Sequence, residues 1–148
     1  MSPIEQRAGL GILMAGLQRR WRRLLDHVLA ESGFNDATWP PLLHLAITGD
    51  GINQTELAAR VGLDGSSLVR LLDLMETRGL IERRASSEDR RTKLIFLTPD
   101  GHDAARDIRT IIKNVEADLL ADIDDTEIAL MTDAVFRIDD RIQTYNGR

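Results

Sequence analysis

The hydrophobic pattern of this 148-residue chain has a helical period almost throughout and departs from it in one place. Apolar residues recur every three or four positions from Ile4 to Leu29, over 39–47 and 55–76, and in two long segments between 99 and 145. Within 80–97, two short apolar runs instead enclose a charged stretch, which is typical of two strands joined by a protruding loop. We therefore expect a mainly α-helical chain with one small β-hairpin.

Capping and breaking residues predict where these helices begin and end. Pro40 and Pro41 fit only the first turn of a helix, where no intrahelical N–H bond is lost. Asn53 and Glu56 have the spacing of a capping box, with Glu56 reaching back, and Asp64 can cap the next helix. The expected order of elements is α-α-α-α-β-β-α-α, without internal repeats.

Composition excludes several function classes. The chain has no cysteine, which rules out disulfides, thiolate metal sites, cysteine catalysis and thiol redox sensing. No run approaches the ~20 apolar residues of a membrane span. Charge precedes the first apolar run, which is the wrong order for a signal peptide. We expect a cytoplasmic protein with no membrane partner.

The charge of the chain is unevenly distributed. The net charge is −5, but residues 99–148 alone carry six basic and twelve acidic side chains, a net −6. Residues 53–98 have a net charge of +1. Basic residues cluster at 19–23, 83–84 and 90–93. Because phosphate binding depends on local basic patches, the overall negative charge does not exclude a nucleic-acid partner.

Residues 55–76 fit a helix-turn-helix. Ala58 is small where the two helices must touch, and Gly62 supplies the turn, where a positive φ is often needed. The second helix begins with Ser66 and Ser67, whose hydroxyls can approach phosphates and base edges. Arg70, one turn later, can reach a guanine. On this spacing alone, a purely structural helical hairpin is an equally good interpretation.

The basic hairpin over 80–97 favours DNA binding. Its expected loop holds Arg83, Arg84, Arg90, Arg91 and Lys93. A basic hairpin beside a helix-turn-helix is a wing, which can place an arginine in the narrow minor groove. We expect Asp89 to form a salt bridge to Arg91 that stiffens the loop. A loop that is merely solvated is the alternative.

Four short motifs together resemble the MarR family of bacterial transcription regulators. They are Ser66 with Leu68-Val69-Arg70, Gly79-Leu80-Ile81-Glu82-Arg83, Asp89-Arg90-Arg91 and Leu97-Thr98-Pro99-Asp100-Gly101. The segments Arg19-Arg20-Trp21-Arg22 and Asp26-His27, with Trp39, are similar to the SlyA-type branch of that family. The resemblance covers about residues 8–145 and is strongest over 53–101.

The resemblance implies a homodimeric winged helix-turn-helix protein whose first and last two helices interleave with a partner chain. It implies that the recognition helix enters the major groove and that Arg90, at the wing tip, contacts the minor groove. Asp89 and Arg91 match the pair that braces the wing. The predicted DNA-binding residues are Ser66, Ser67, Arg70, Arg84, Arg90, Arg91 and Lys93. The resemblance also implies control by a small aromatic or phenolic anion.

The apolar pattern supports dimerisation independently. The predicted helices 4–31, 99–121 and 125–145 are long and amphipathic, and one small winged domain cannot cover all their apolar faces. A partner chain in a two-fold, helix-exchanged interface is the simplest cover. We expect one interdependent domain in three parts: an N-terminal dimerisation helix (1–35), a DNA-binding domain (36–98) and C-terminal dimerisation helices (99–148).

Candidate effector-binding residues lie on the first two helices: Arg19, Arg22, Trp39 and His44. Trp39 offers a ring face, and Arg19 or Arg22 offers a cation, to a planar aromatic anion. The histidine of the SlyA-type branch falls one residue earlier, where this chain has Leu43. Core packing of Trp39 and His44, and a solvated face for the arginines, are the alternatives.

We expect no cofactor, no metal site and no enzymatic activity. The three histidines do not form a metal constellation, and the chain lacks the nucleophile-elbow, P-loop, dinucleotide and zinc-protease motifs. The sequence thus predicts a dimeric, sequence-specific DNA-binding transcription regulator, with repression as the favoured mode. We expect release from a near-palindromic operator by the effector. A winged-helix module that binds protein, and then a small enzyme, remain the alternatives.

Overall fold

The computed structural model of the chain describes residues 2–34 and 37–147. Its elements are α1 (Pro3–Glu31), α2 (Trp39–Thr48), β1 (Ile52–Asn53), α3 (Gln54–Val61), α4 (Gly65–Thr77), β2 (Ile81–Ala85), β3 (Lys93–Leu97), α5 (Pro99–Leu119) and α6 (Asp125–Asn146). The prediction of a mainly helical winged helix-turn-helix is confirmed. Within the described residues, no helix is long and apolar enough to cross a membrane.

The chain divides into two compact units, the first ending at Ile112 and the second beginning at Lys113. The core of the first unit comes from α1 to α4, β2, β3 and the first half of α5, whereas β1 contributes no buried residue. Its fully buried large residues are Leu29, Pro41, Leu42, Leu45, Leu57, Leu68, Leu72, Met75, Ile81, Ile95 and Ile108. The helix-turn-helix and the hairpin are therefore parts of a single packed body.

The sheet has three antiparallel strands in the order β1-β3-β2, one more than the sequence predicted. In the β2–β3 hairpin, Ile81 pairs with Leu97 and Ala85 with Lys93. The added strand pairs Ile52 with Ile95. Because β1 has only two residues, it is too short for an alternating apolar pattern to reveal it.

The predicted helix starts are confirmed, with one difference in detail. Asn53 caps α3 by accepting a hydrogen bond from the Glu56 N–H at 2.8 Å. The Glu56 carboxylate does not complete the predicted box, because it accepts from Arg60 Nη2 at 2.9 Å. Asp124 caps α6 in a complete capping box with Glu127.

Two helices expose apolar side chains in the single chain. On α1, Leu13 is 63% exposed, and Leu10, Met14 and Leu17 are also exposed. The second unit contains α6, which has no buried side chain within the part that the structure describes. Its large exposed residues are Leu130, Met131, Val135, Phe136, Ile142 and Tyr145.

Candidate nucleic-acid interface

The turn of the helix-turn-helix forms as predicted. Gly62 ends α3 in the left-handed conformation (φ 75°, ψ 31°), which a residue with a Cβ rarely adopts. The N–H groups of Gly62 and Leu63 both donate to the carbonyl oxygen of Ala58. Leu57 on α3 and Leu68 on α4 are both fully buried. This packing holds α4 with one side exposed to solvent.

The first turn of α4 contains a compact hydrogen-bond cluster around Asp64. The Asp64 carboxylate accepts from the Ser67 N–H (2.8 Å), from Ser66 Oγ (2.7 Å) and from Ser67 Oγ (2.9 Å). These bonds stabilise the charged carboxylate and lower the pKa of Asp64 to about 2. The predicted cap is confirmed, and the carboxylate is ionised at neutral pH.

This cluster decides whether the two serine hydroxyls can donate or accept further hydrogen bonds. A hydroxyl has one proton and two lone pairs, and each serine proton is donated to Asp64. The hydroxyl oxygens of Ser66 and Ser67 can therefore only accept hydrogen bonds from a ligand. Arg70, one turn further along α4, is exposed and offers only donors. Among the described residues, no acidic side chain forms an ion pair with Arg70.

The wing is built differently from the prediction at its strands. Arg83, Arg84 and Lys93 lie in β2 and β3 and not in the loop, which is confined to residues 86–92. Arg84 forms an ion pair with Glu82, and its guanidinium carbon lies 4.4 Å from the centre of the Phe96 ring. The sequence did not indicate a strand at these positions, because polar residues on its outer face obscure the alternation of apolar and polar residues.

The predicted Asp89–Arg91 salt bridge is also corrected. Asp89 Oδ1 accepts from the backbone N–H of Arg91 at 2.9 Å, and the Asp89 carbonyl accepts from Thr92 N–H at 3.0 Å. The carboxylate satisfies a backbone donor of the turn, which frees the Arg91 guanidinium. Arg90 and Arg91 are both exposed at the wing tip. Neither forms an ion pair within the part of the chain that the structure describes.

The partners of Arg83 could not be predicted from the sequence. This arginine reaches from β2 to α4, where Nε donates to Glu76 Oε2 at 2.8 Å and Nη2 pairs with Asp73. The two carboxylates raise the pKa of the guanidinium above its ordinary value. The side chain is only 20% exposed. In the sequence, Arg83 stands beside Arg84 in a basic run, and this position does not indicate that its partners are acidic residues of the same chain.

Two of the predicted effector residues meet at the junction of α1 and α2. The guanidinium of Arg22 lies over the Trp39 ring, 4.7 Å from its centre. Asp26 Oδ1 accepts from both Trp39 Nε1 (2.8 Å) and Arg22 Nε (3.1 Å). Trp39 is only 5% exposed, so the expectation of an open ring face is corrected: Arg22 already covers it.

The other two predicted effector residues lie apart from this contact. Arg19 is exposed on α1. His44 is half-buried on α2, where burial and the charge of Arg60 lower its pKa. Arg60 Nη1 donates to Thr48 Oγ1 at 2.6 Å, which ties α3 to α2. A neutral His44 at neutral pH can offer a hydrogen bond to an anion but no charge.

Comparison with known proteins adds four findings. A model of the MarR family matches residues 32–92. The transcriptional regulator PA3341 is 42% identical in sequence, with a TM-score of 0.83 over 91% of this chain and 98% of that one. A MarR-family regulator from Rhodococcus sp. RHA1 is 28% identical, with a TM-score of 0.76 over 89% and 93% of the two chains.

CouR from Rhodococcus jostii RHA1, solved bound to p-coumaroyl-CoA, is also similar to this chain. It is 30% identical, with a TM-score of 0.72 over 87% of this chain and 90% of that one. These similarities span both units described above.

Proposed function

Because this chain belongs to the MarR family of DNA-binding transcription regulators, which are not enzymes, we propose that it acts as a dimeric repressor on a near-palindromic operator. We propose further that a small aromatic or phenolic anion releases the DNA. The observation that carries the proposal is the presence of exposed, unpaired guanidinium groups on both α4 and the wing tip. Arg70, Arg90 and Arg91 have no acidic partner within the described residues.

Each predicted DNA-binding residue has a proposed role. Arg70 donates to a guanine in the major groove, while Ser66 and Ser67 accept from base amino groups. Arg90 enters the minor groove beside the recognition helix. Asp89 braces the wing turn through the Arg91 N–H, and the remaining basic residues contact phosphates. Those residues are Arg84, Arg91 and Lys93.

A dimer follows from the unburied helix faces. The exposed apolar residues of α1 and α6 would be buried by a second copy, and two-fold symmetry would then place two α4 helices against one duplex. Adjacent major grooves on one face of DNA lie about one turn, or ~10 bp, apart. The operator should therefore be a near-palindrome with half-sites at that spacing.

The proposed effector site is the junction of α1 and α2. CouR, the relative bound to p-coumaroyl-CoA, supports a ligand of aromatic, anionic character. Because Arg22 covers Trp39, such a ligand would have to displace the guanidinium from the ring, with Arg19 or the displaced Arg22 pairing with its charge and His44 donating a hydrogen bond. The segment Arg19–Arg22 and Asp26-His27 also support membership of the SlyA-type branch, which we propose on sequence alone.

The DNA-binding roles can be tested on a duplex selected from random sequences by the wild-type protein. Arg70→Ala should weaken binding to the selected site by about 1–3 kcal/mol and relax discrimination at one base position. Arg90→Ala should lower the salt dependence of binding by about one unit of slope. Arg109→Ala, an exposed arginine on α5, is the control and should change neither.

A selected-site experiment in which wild-type protein enriches no duplex would overturn the DNA-binding proposal. Failure of salicylate-like acids or aromatic acyl thioesters to release the bound duplex would overturn the effector proposal alone. Release that persists at equal ligand concentration in Trp39→Leu and Arg19→Ala variants would place the effector elsewhere.

A further inference from the structure

Arg83 links α4, the proposed recognition helix, to the wing (β2, β3 and the loop 86–92) through two ion pairs. It lies on β2, one residue before Arg84, yet its guanidinium turns away from the basic surface and binds two carboxylates of α4. Asp73 and Glu76 are three residues apart and therefore share one face of the helix. A planar guanidinium with several donors can hold both acids at once, which an ammonium group does less well.

The proposed mode of DNA binding explains why the contact between Arg83 and α4 matters. The recognition helix and the wing tip would contact different grooves of one duplex, so their relative orientation decides whether both contacts form together. The wing loop, residues 86–92, lies at the free end of a two-stranded hairpin, beyond the last strand pair at Ala85 and Lys93. A small rotation of β2 against α4 would be amplified at that tip.

We propose that Arg83 is a positioning residue that fixes the wing against the recognition helix, so that the two groove contacts are made in register. The inference rests on the proposed DNA binding and deepens it, because it assigns sequence discrimination to a residue that does not touch DNA. Exposed ion pairs add little to the stability of a fold. Here Arg83 is largely covered while Asp73 and Glu76 are 62% and 48% exposed, so loss of the link should affect orientation more than folding.

For one double variant on α4, simple electrostatics and the loss of a positioning link predict opposite changes in DNA binding. Asp73→Asn with Glu76→Gln removes two negative charges from α4 and changes the net charge of the chain from −5 to −3. Simple electrostatics then predicts tighter binding to every duplex. Loss of a positioning link predicts weaker binding to the selected site only.

The first experiment measures binding of this double variant to the selected duplex and to a scrambled duplex of equal length. We expect affinity for the selected site to fall about tenfold, with affinity for the scrambled duplex unchanged or higher. The matched control is Asp103→Asn with Asp107→Asn, which removes two charges from α5. It should retain the wild-type ratio of the affinities for the selected and scrambled duplexes. An unchanged or increased ratio in the α4 variant would overturn the inference.

The second experiment separates positioning from direct phosphate contact. Arg83→Met keeps the apolar stem but loses the charge, and it should lower the affinity for the selected site without changing the salt slope. A residue bound to phosphate would instead lower that slope by about one unit, as predicted for Arg90→Ala. A lowered slope for Arg83→Met would therefore overturn the positioning role.

Dimethyl sulfate footprinting, which methylates guanine N7 in the major groove and adenine N3 in the minor groove, adds a readout that a loss of folding would not reproduce. In both variants we expect protection in the major groove to remain and protection in the minor groove, under the wing, to weaken or spread. Thermal unfolding identifies a variant that does not fold. If Arg83→Met is such a variant, the α4 double variant, which retains Arg83, still decides the question.

The two levels of the proposal fail in different ways. Wild-type protein that cannot distinguish the selected from the scrambled duplex overturns the DNA-binding function itself. Wild-type protein that distinguishes them, together with an α4 double variant that does so equally well, overturns only the role of Arg83.

Discussion

Gly101 shows how one missing side chain allows two segments to meet. The glycine is buried in the first turn of α5, and a Cβ built there would lie 1.9 Å from the carbonyl oxygen of Leu80 and 3.2 Å from Leu97 Cδ2. Thr98 secures the same contact, because its N–H donates to Leu80 O at 3.1 Å. The start of α5 is thereby fixed to the turn between α4 and β2.

We expect Gly101→Ala to destabilise the protein by about 1–3 kcal/mol, because a backbone carbonyl must move to admit the methyl group. Urea unfolding provides the measurement. Gly65→Ala is the matched control, since Gly65 is also helical and a Cβ there would meet nothing within 4 Å. That control should be neutral or slightly stabilising. Equal stability of the two variants would contradict the close approach.

At the scale of elements, the shortest strand depends on one side chain. Asp50 Oδ2 accepts from the Leu97 N–H at 2.9 Å, and Gly51 N–H donates to Ile95 O at 2.6 Å. These bonds hold the residues before β1 against β3, although almost fifty positions of sequence separate them. The Asp50 carboxylate therefore accepts the hydrogen bond from Leu97 that the backbone carbonyl of a further strand residue would accept.

Removal of that carboxylate should leave a partly buried N–H without its acceptor. We expect Asp50→Ala to cost about 1–3 kcal/mol in the free energy of unfolding and to speed exchange of the Leu97 amide proton. Asp50→Asn retains an acceptor oxygen and should lose less. If the Leu97 amide exchanges at the wild-type rate in Asp50→Ala, this hydrogen bond does not hold the sheet edge.

The elements also show which parts of the fold a sequence can reveal. The helices were predicted because their apolar period repeats over several turns, and the caps because Asp64 and Asp124 act on neighbours three residues away. β1 was missed because it pairs with a distant segment, Ile52 with Ile95, and the partners of Arg83 were missed because they lie on a different element, seven and ten residues earlier. The sequence predicted one basic loop that holds the wing arginines. The structure divides them into Arg83 and Arg84, which form ion pairs from β2, and Arg90 and Arg91, which form none within the described residues.

At the scale of the whole molecule, the exposed apolar faces of α1 and α6 predict a stability that depends on association. If a second copy covers α6, unfolding is coupled to dissociation, and the midpoint of thermal unfolding rises with protein concentration. We expect that rise across a hundredfold range of concentration, and we expect Val135→Asp to abolish it. Ala129→Asp introduces the same charge on another side of α6 and is the control. A midpoint independent of concentration would contradict dimerisation through this helix.

The junction of α1 and α2 has an optical consequence. The chain contains only two tryptophans, so Trp21→Phe leaves Trp39 as the single indole fluorophore. Its ring is buried beneath Arg22 and its N–H is bound by Asp26, which places its emission under the control of that contact. A ligand that enters between the two helices must open the stack, and we expect a shift of the emission maximum as it binds. The emission of Trp39 would thus report directly on binding of the proposed effector.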